Sequence, residues 1–176
     1  MSTKQRVWVS RPIFPDIVDR LRPYVEVVAE TEDTSRSPEA LKAWLREFDG
    51  AVIGLTERID AATLEGNTRL KVLSNVAVGY NNLDIPALTR AGVLATNTPD
   101  VLTETVADHA WALLLAAARR LGASERWLRA GHWQGFRFDQ WLGFDVHGKT
   151  LGILGMGRIG QAVARRGQGF NTRTLY

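Results

Sequence analysis

Residues Leu151–Gly160 read LGILGMGRIG, and no other stretch limits the possible folds as tightly. An apolar run leads into a Gly-x-Gly-x-x-Gly turn at Gly155, Gly157 and Gly160, and helical spacing continues from Arg158 to about Gln168. In such a strand–turn–helix unit the first glycine permits a tight bend. The second lets backbone approach a pyrophosphate, and the third lets helix pack close to strand. The helix start then offers unpaired N–H groups and a positive dipole end to the phosphates. The predicted cofactor contacts are therefore Gly155, Met156, Gly157, Arg158, Ile159 and Gly160, and the cofactor is NAD or NADP. A plain βα turn is the alternative reading. An acidic residue that takes the ribose hydroxyls, or a basic one that suits a 2′-phosphate, belongs about twenty positions on. That position falls at Tyr176 or just beyond it, so the choice between NAD and NADP is not legible.

The residues before this turn alternate between strand-like and helix-like segments. Strands are expected at Val7–Val9, Val25–Val28, Ala51–Gly54, Val72–Ser74 and Val93–Thr96. Between them lie helical stretches at Pro15–Leu21, from Ser37-Pro38 to near Phe48, after Asp60, and from Asp84-Ile85-Pro86 to Gly92. Ser37, Asp60 and Asp84 have N-cap chemistry, and Gly92 has that of a helix stop. This alternation predicts a parallel sheet covered on both faces. A polar link, Asn97 to Leu102, marks a boundary between a first unit at 1–99 and a second at 100–176. In the second, Thr103 is read as the cap of a long Ala/Leu-rich linking helix over 103–121. Being apolar on most faces, that helix is expected to be buried or packed between units. Gly122 to Lys149 reads as irregular, and a last strand as Thr172–Tyr176.

Composition removes several function classes. Apolar content of 45% with 23% charged residues is ordinary for a globular chain. A net charge of +3 is mild and dispersed, which argues against a nucleic-acid partner. There is no cysteine, hence no disulfide framework and no thiolate metal site. No N-terminal run has signal-peptide length, and the longest apolar stretch, Ala110–Ala118, is too short to span a bilayer. A cytoplasmic protein without membrane or nucleic-acid partners is expected.

Two long segments carry a family resemblance. GFDVHGKTLGILGMGRIGQAVARR (Gly143–Arg166) and NVAVGYNNLDIPALTRAGVLATNTPDVLTETVADHAWALLLAAARR (Asn75–Arg120) resemble the D-isomer-specific 2-hydroxyacid dehydrogenases. Among its branches the chain looks most like the glyoxylate/hydroxypyruvate reductases. The resemblance implies a flavodoxin-like substrate domain followed by the beginning of a Rossmann dinucleotide-binding domain. It also implies NAD(P)H-dependent reduction of a small 2-oxo acid to the D-2-hydroxy acid, and a homodimer.

Matched position by position, Val78 and Gly79 fall in the loop whose main-chain N–H groups hold the substrate carboxylate, a sensible use of an anion-binding concavity. A glycine needed only to turn the chain is the competing reading. Leu55 matches a residue of the substrate pocket, though an apolar residue at a strand end would serve equally as core. Thr105 matches a position near the nicotinamide and ribose, where simple helix-start chemistry is the alternative. Trp141 is the best-placed counterpart of a tryptophan that reaches the pocket from the neighbouring subunit; core or interface packing competes with that role.

The resemblance places the catalytic Arg, Glu and His beyond Tyr176, so no catalytic residue is expected among the 176. His109, His132 and His147 are expected in packing, solvated or structural roles. Asp108 and His109, adjacent on a helix, do not face each other. A Rossmann unit holding two strands is marginal, since independent sheets need about three. The 176 residues alone are therefore expected to be an incomplete copy, inactive in hydride transfer and weak in dinucleotide binding. A dinucleotide-sensing, corepressor-like regulator is the alternative class of function.

Overall fold

A computed structural model describes residues 4–176. The chain divides into two compact units, Met1–Pro99 and Asp100–Tyr176. In the first, five short strands alternate with four helices: β1 (Arg6–Val9), α1 (Pro15–Asp19), β2 (Glu26–Ala29), α2 (Pro38–Leu45), β3 (Gly50–Ile53), α3 (Ala61–Leu64), β4 (Val72–Asn75), α4 (Ile85–Ala91) and β5 (Leu94–Thr96). All neighbouring strands are parallel, in the order β2-β1-β3-β4-β5. That is the flavodoxin-like order, whose ligand crevices lie beyond the carboxyl ends of the strands.

Local chemistry sets the helix ends. Ser37 Oγ accepts from Ala40 N at 3.2 Å, Asp60 Oδ1 from Thr63 N at 3.0 Å, and Asp84 Oδ1 from Ala87 N at 2.9 Å. Gly92 closes α4 in the left-handed region at φ 68°. The Thr63 amide holds the Asp60 carboxyl below its ordinary pKa against the opposing effect of burial. The core joins the sheet to one helical layer through Trp8, Leu41, Leu45, Phe48, Ile53, Leu73 and Leu88. Trp8 stacks on Phe48 with centroids 6.4 Å apart. Asp49, at the mouth of β3, accepts from Arg6 N at 2.7 Å and from Arg69 Nε and Nη2 at 3.1 Å each, which ties three strand approaches together.

The second unit holds α5 (Thr103–Ala118), α6 (Leu121–Arg129), β6 (Thr150–Gly152), α7 (Arg158–Gly167), a 3-10 turn at Gln168–Phe170 and β7 (Arg173–Leu175), with β6 and β7 parallel. Helix α5 lies on α7. Trp111, buried, donates Nε1–H to Val163 O at 2.9 Å and stacks on Phe170 at 4.6 Å and 9°. Arg166 pairs with Glu104 at 2.9 Å and Asp108 at 2.6 Å, which raises the guanidinium pKa further.

Several sequence expectations change here. Thr103 is the first residue of α5, not its cap; Leu102 occupies the cap position without a side-chain bond. The helix ends at Ala118, because Arg120 turns left-handed at φ 58°, and a separate α6 follows where an irregular stretch was expected. Only Ala107 and Trp111 of α5 are buried, so its apolar composition does not translate into burial. His109 is exposed rather than packed. No helix among the described residues is long and apolar enough to cross a membrane.

Candidate functional site

Two backbone turns, one in each unit, present N–H groups in a form suited to anions. The turn at Gly155–Gly160 gives each glycine a separate reason. Gly155 has φ 96°, a conformation that side chains rarely adopt. A Cβ on Gly157 would meet nothing, leaving room on the outer side of the turn. A Cβ on Gly160 would run into the Gly155 carbonyl and crowd Ile153 Cγ2 at 3.4 Å, so helix and turn approach as closely as only glycine allows. Gly157 is the cap residue of α7, and no side chain caps it. The first-turn N–H groups are thus left for an external acceptor. Gln161 Nε2 braces the turn through Met156 O at 3.1 Å. Arg158 pairs with Asp100, and Ile159 lines the turn with a partly exposed side chain. This cradle fits a dinucleotide diphosphate.

The second turn follows β4. Four successive carbonyls are taken: Ala77 O by Thr98 N at 2.8 Å, Val78 O by Asn97 Nδ2 at 2.8 Å, Gly79 O by Asn75 Nδ2 at 3.0 Å, and Tyr80 O by Leu83 N at 2.9 Å. Among the described residues, the N–H groups of Val78 and Gly79 meet no acceptor. Gly79 is not left-handed, and a Cβ there would meet only open space. No left-handed conformation therefore requires glycine at this position.

Leu55 sits just past β3 with 60% of its surface exposed, which removes the core alternative. Its loop is fixed by Glu57, a buried carboxylate. Glu57 Oε2 accepts from Gly54 N at 2.8 Å and from Ser10 Oγ at 3.0 Å, and its Oε1 pairs with Arg11 Nη2 at 2.7 Å. Burial works to lower the Arg11 pKa, but bonds to Asp33 and Glu57 outweigh it and leave it raised. Asn82 joins this loop to the one after β4, giving Nδ2–H to Gly54 O and Glu57 O at 3.1 Å each and to Asn75 Oδ1 at 3.2 Å. Leu55, Val78 and Gly79 thus share one bonded framework. Sequence reasoning missed Glu57, Asn75, Asn82 and Asn97. The only signal was the density of asparagines around the β4 turn.

Thr105 lies exposed in the first turn of α5, and its hydroxyl makes no hydrogen bond among the described residues. Trp141 packs inside its own unit, edge-on to Trp127 at 5.6 Å and under the Arg120 guanidinium at 5.1 Å. It adopts φ 55°, and its indole N–H has no partner. Of the other histidines, His132 lies against Trp127 at 5.8 Å and His147 Nε2 is 3.0 Å from Asn171 Nδ2.

Known proteins resemble this chain over nearly its whole length. Residues 7–174 match the family described as D-isomer specific 2-hydroxyacid dehydrogenase, catalytic domain. The glyoxylate reductase of Thermococcus gammatolerans is 46% identical over 177 residues, covering 98% of this chain and 53% of the relative. That of Pyrococcus furiosus is 44% identical, with the same coverage. A crystal structure of a Thermus thermophilus protein superposes with TM-score 0.89 at 38% identity, over 97% of this chain and 55% of that one. An NADPH-dependent glyoxylate/hydroxypyruvate reductase from Sinorhizobium meliloti, in complex with NADP and malonate, gives TM-score 0.78 at 32% identity, over 99% and 53%. The chain spans about half the length of the curated relatives it matches. With its flavodoxin-like sheet followed by a glycine-rich βα turn, the chain belongs to the D-isomer-specific 2-hydroxyacid dehydrogenase family.

Proposed function

We propose that this chain supplies the carboxylate loop and the diphosphate turn of an NAD(P)H-dependent reductase that converts glyoxylate, hydroxypyruvate or a related 2-oxo acid to the D-2-hydroxy acid. The observation that carries this reading is the Gly155–Gly160 turn, where a left-handed glycine, an open glycine and a close-contact glycine precede an uncapped helix. The names of the matched relatives support the substrate class.

In this reading 1–99 is the substrate-binding domain, and 100–176 opens the dinucleotide-binding domain. Gly155, Met156, Gly157, Arg158, Ile159 and Gly160 hold the diphosphate, and Thr105 lies near the nicotinamide. NAD(P)H supplies the hydride when bound. Val78 and Gly79 donate N–H groups to the substrate carboxylate, which fixes the 2-oxo acid by its unreactive end. Leu55 contributes an apolar wall, and Trp141 serves the pocket of a partner subunit. The enzyme is a cytoplasmic homodimer. Exposed Leu113, Leu121 and Leu128 on α5 and α6 support pairing of subunits there.

The test joins residues 1–176 to the unmatched remainder of the Thermococcus gammatolerans reductase. The fusion should oxidise NADH or NADPH with glyoxylate or hydroxypyruvate, and Gly160→Ala should abolish that oxidation. A folded fusion that turns over neither acid with either cofactor refutes the proposal.

A further inference from the structure

The amides of Val78 and Gly79 are aimed by hydrogen bonds to the carbonyls before them, one from backbone and one from a side chain, rather than by glycine conformation. In a trans peptide the N–H of one residue points opposite the C=O of the residue before it. Fastening the Ala77 and Val78 carbonyls therefore aims the Val78 and Gly79 N–H groups the other way. Thr98 N fastens the first carbonyl and Asn97 Nδ2 the second. Asn75, 1% exposed, fastens the carbonyl that follows, Gly79 O, which pins the far end of the pair, and it forms a reciprocal amide pair with Asn82, at 3.2 Å and 3.4 Å. Asn82 also donates to Gly54 O and Glu57 O, on either side of Leu55. One amide thus links the β3 loop to the β4 loop, and Glu57 seats the β3 loop on Ser10 and Arg11. Buried amides persist only when satisfied, and a complete network of this kind rigidifies what it touches.

We propose that Asn82, acting through the bond from Asn75 to the Gly79 carbonyl, is the positioning residue of the substrate site: it anchors the loop that bears the Val78 and Gly79 amides and keeps it in register with Leu55. This rests on the reading of the β4 loop as the carboxylate site. The alternative role for Asn82 is to satisfy buried carbonyls without bearing on the loop's outward face.

Backbone ¹⁵N relaxation of the 176-residue chain separates the two, combined with a glyoxylate titration followed at the same amides. In Asn82→Ala the order parameters of Val78 and Gly79 should fall from the rigid range near about 0.85 to below about 0.6. Those of Ile53 and Leu73 should stay rigid, and glyoxylate affinity should drop about tenfold. Asn82→Asp keeps the size and Oδ1 but removes both donations to the β3 loop; it should reproduce the effect and serves if the alanine variant unfolds. Val78 and Gly79 amides that remain rigid in either folded variant overturn the positioning role. If glyoxylate shifts no loop amide in the unaltered chain, the carboxylate reading falls, while the order parameters still decide what Asn82 holds in place.

Discussion

The two turns proposed to hold anions present their N–H groups by opposite means. At Gly155–Gly160 the shape is carried by the glycines themselves, one left-handed and one in contact with backbone. At Val78–Gly79 the glycine is not left-handed and has empty space beside it, while the shape is carried by the Thr98 amide and by asparagines 75, 82 and 97. A diphosphate is cradled by a helix start, which needs backbone at close quarters. A small carboxylate needs two amides held at one angle, and hydrogen bonds from residues distant in sequence can hold them. The first solution is local in sequence and the second is distributed.

This contrast can be broken by substitution. The largest effect is expected for Gly160→Ala, whose Cβ meets the Gly155 carbonyl. Overpacking against backbone should cost the second unit about 3 kcal/mol, read by urea unfolding from the fluorescence of Trp111, which packs on α7. A smaller loss, about 1.5 kcal/mol, is expected in the first unit for Asp49→Asn, which gives up charge-assisted bonds from Arg69 and the Arg6 amide.

Those bonds hold the folded Asp49 pKa below its ordinary value. Their stabilisation is therefore complete above the unfolded pKa of about 3.9 and is lost as pH falls through the lower folded value. Acid titration followed by circular dichroism should show a steeper loss below about pH 4 in the unaltered chain than in the variant. Gly157→Ala should change stability by less than about 0.5 kcal/mol yet weaken NADPH binding, because its Cβ occupies only the open outer side. Gly79→Ala should perturb the fold least, again within about 0.5 kcal/mol, and act only on glyoxylate binding. A large stability loss from Gly79→Ala would erase the distinction between the turns.

The same contrast governs what could be read from the sequence. The alternation of the first unit and its caps at Ser37, Asp60 and Asp84 were legible because each signal lies within a few residues. The glycine turn was legible for the same reason. Asn82 was not, since its partners at Gly54, Glu57 and Asn75 come from the β3 loop and the end of β4, which only the folded sheet brings together. Helix α6 was hidden by Gly122 and by the break at Arg120, although Glu125 and Arg129 form an i,i+4 pair and Arg126 and Arg129 favour a helix end. The apolar composition of α5 suggested burial, but composition records what a helix can pack against and not what covers it in this chain.

The most direct test of the two-turn assignment is an amide map of the 176-residue chain titrated in turn with NADPH, NADH and glyoxylate. A dinucleotide should shift Gly155 through Gly160, glyoxylate should shift Val78 and Gly79, and the interior amides of β1 and β3 should stay still. Glyoxylate shifts centred elsewhere, or dinucleotide shifts that leave Gly157 and Gly160 unmoved, would contradict it.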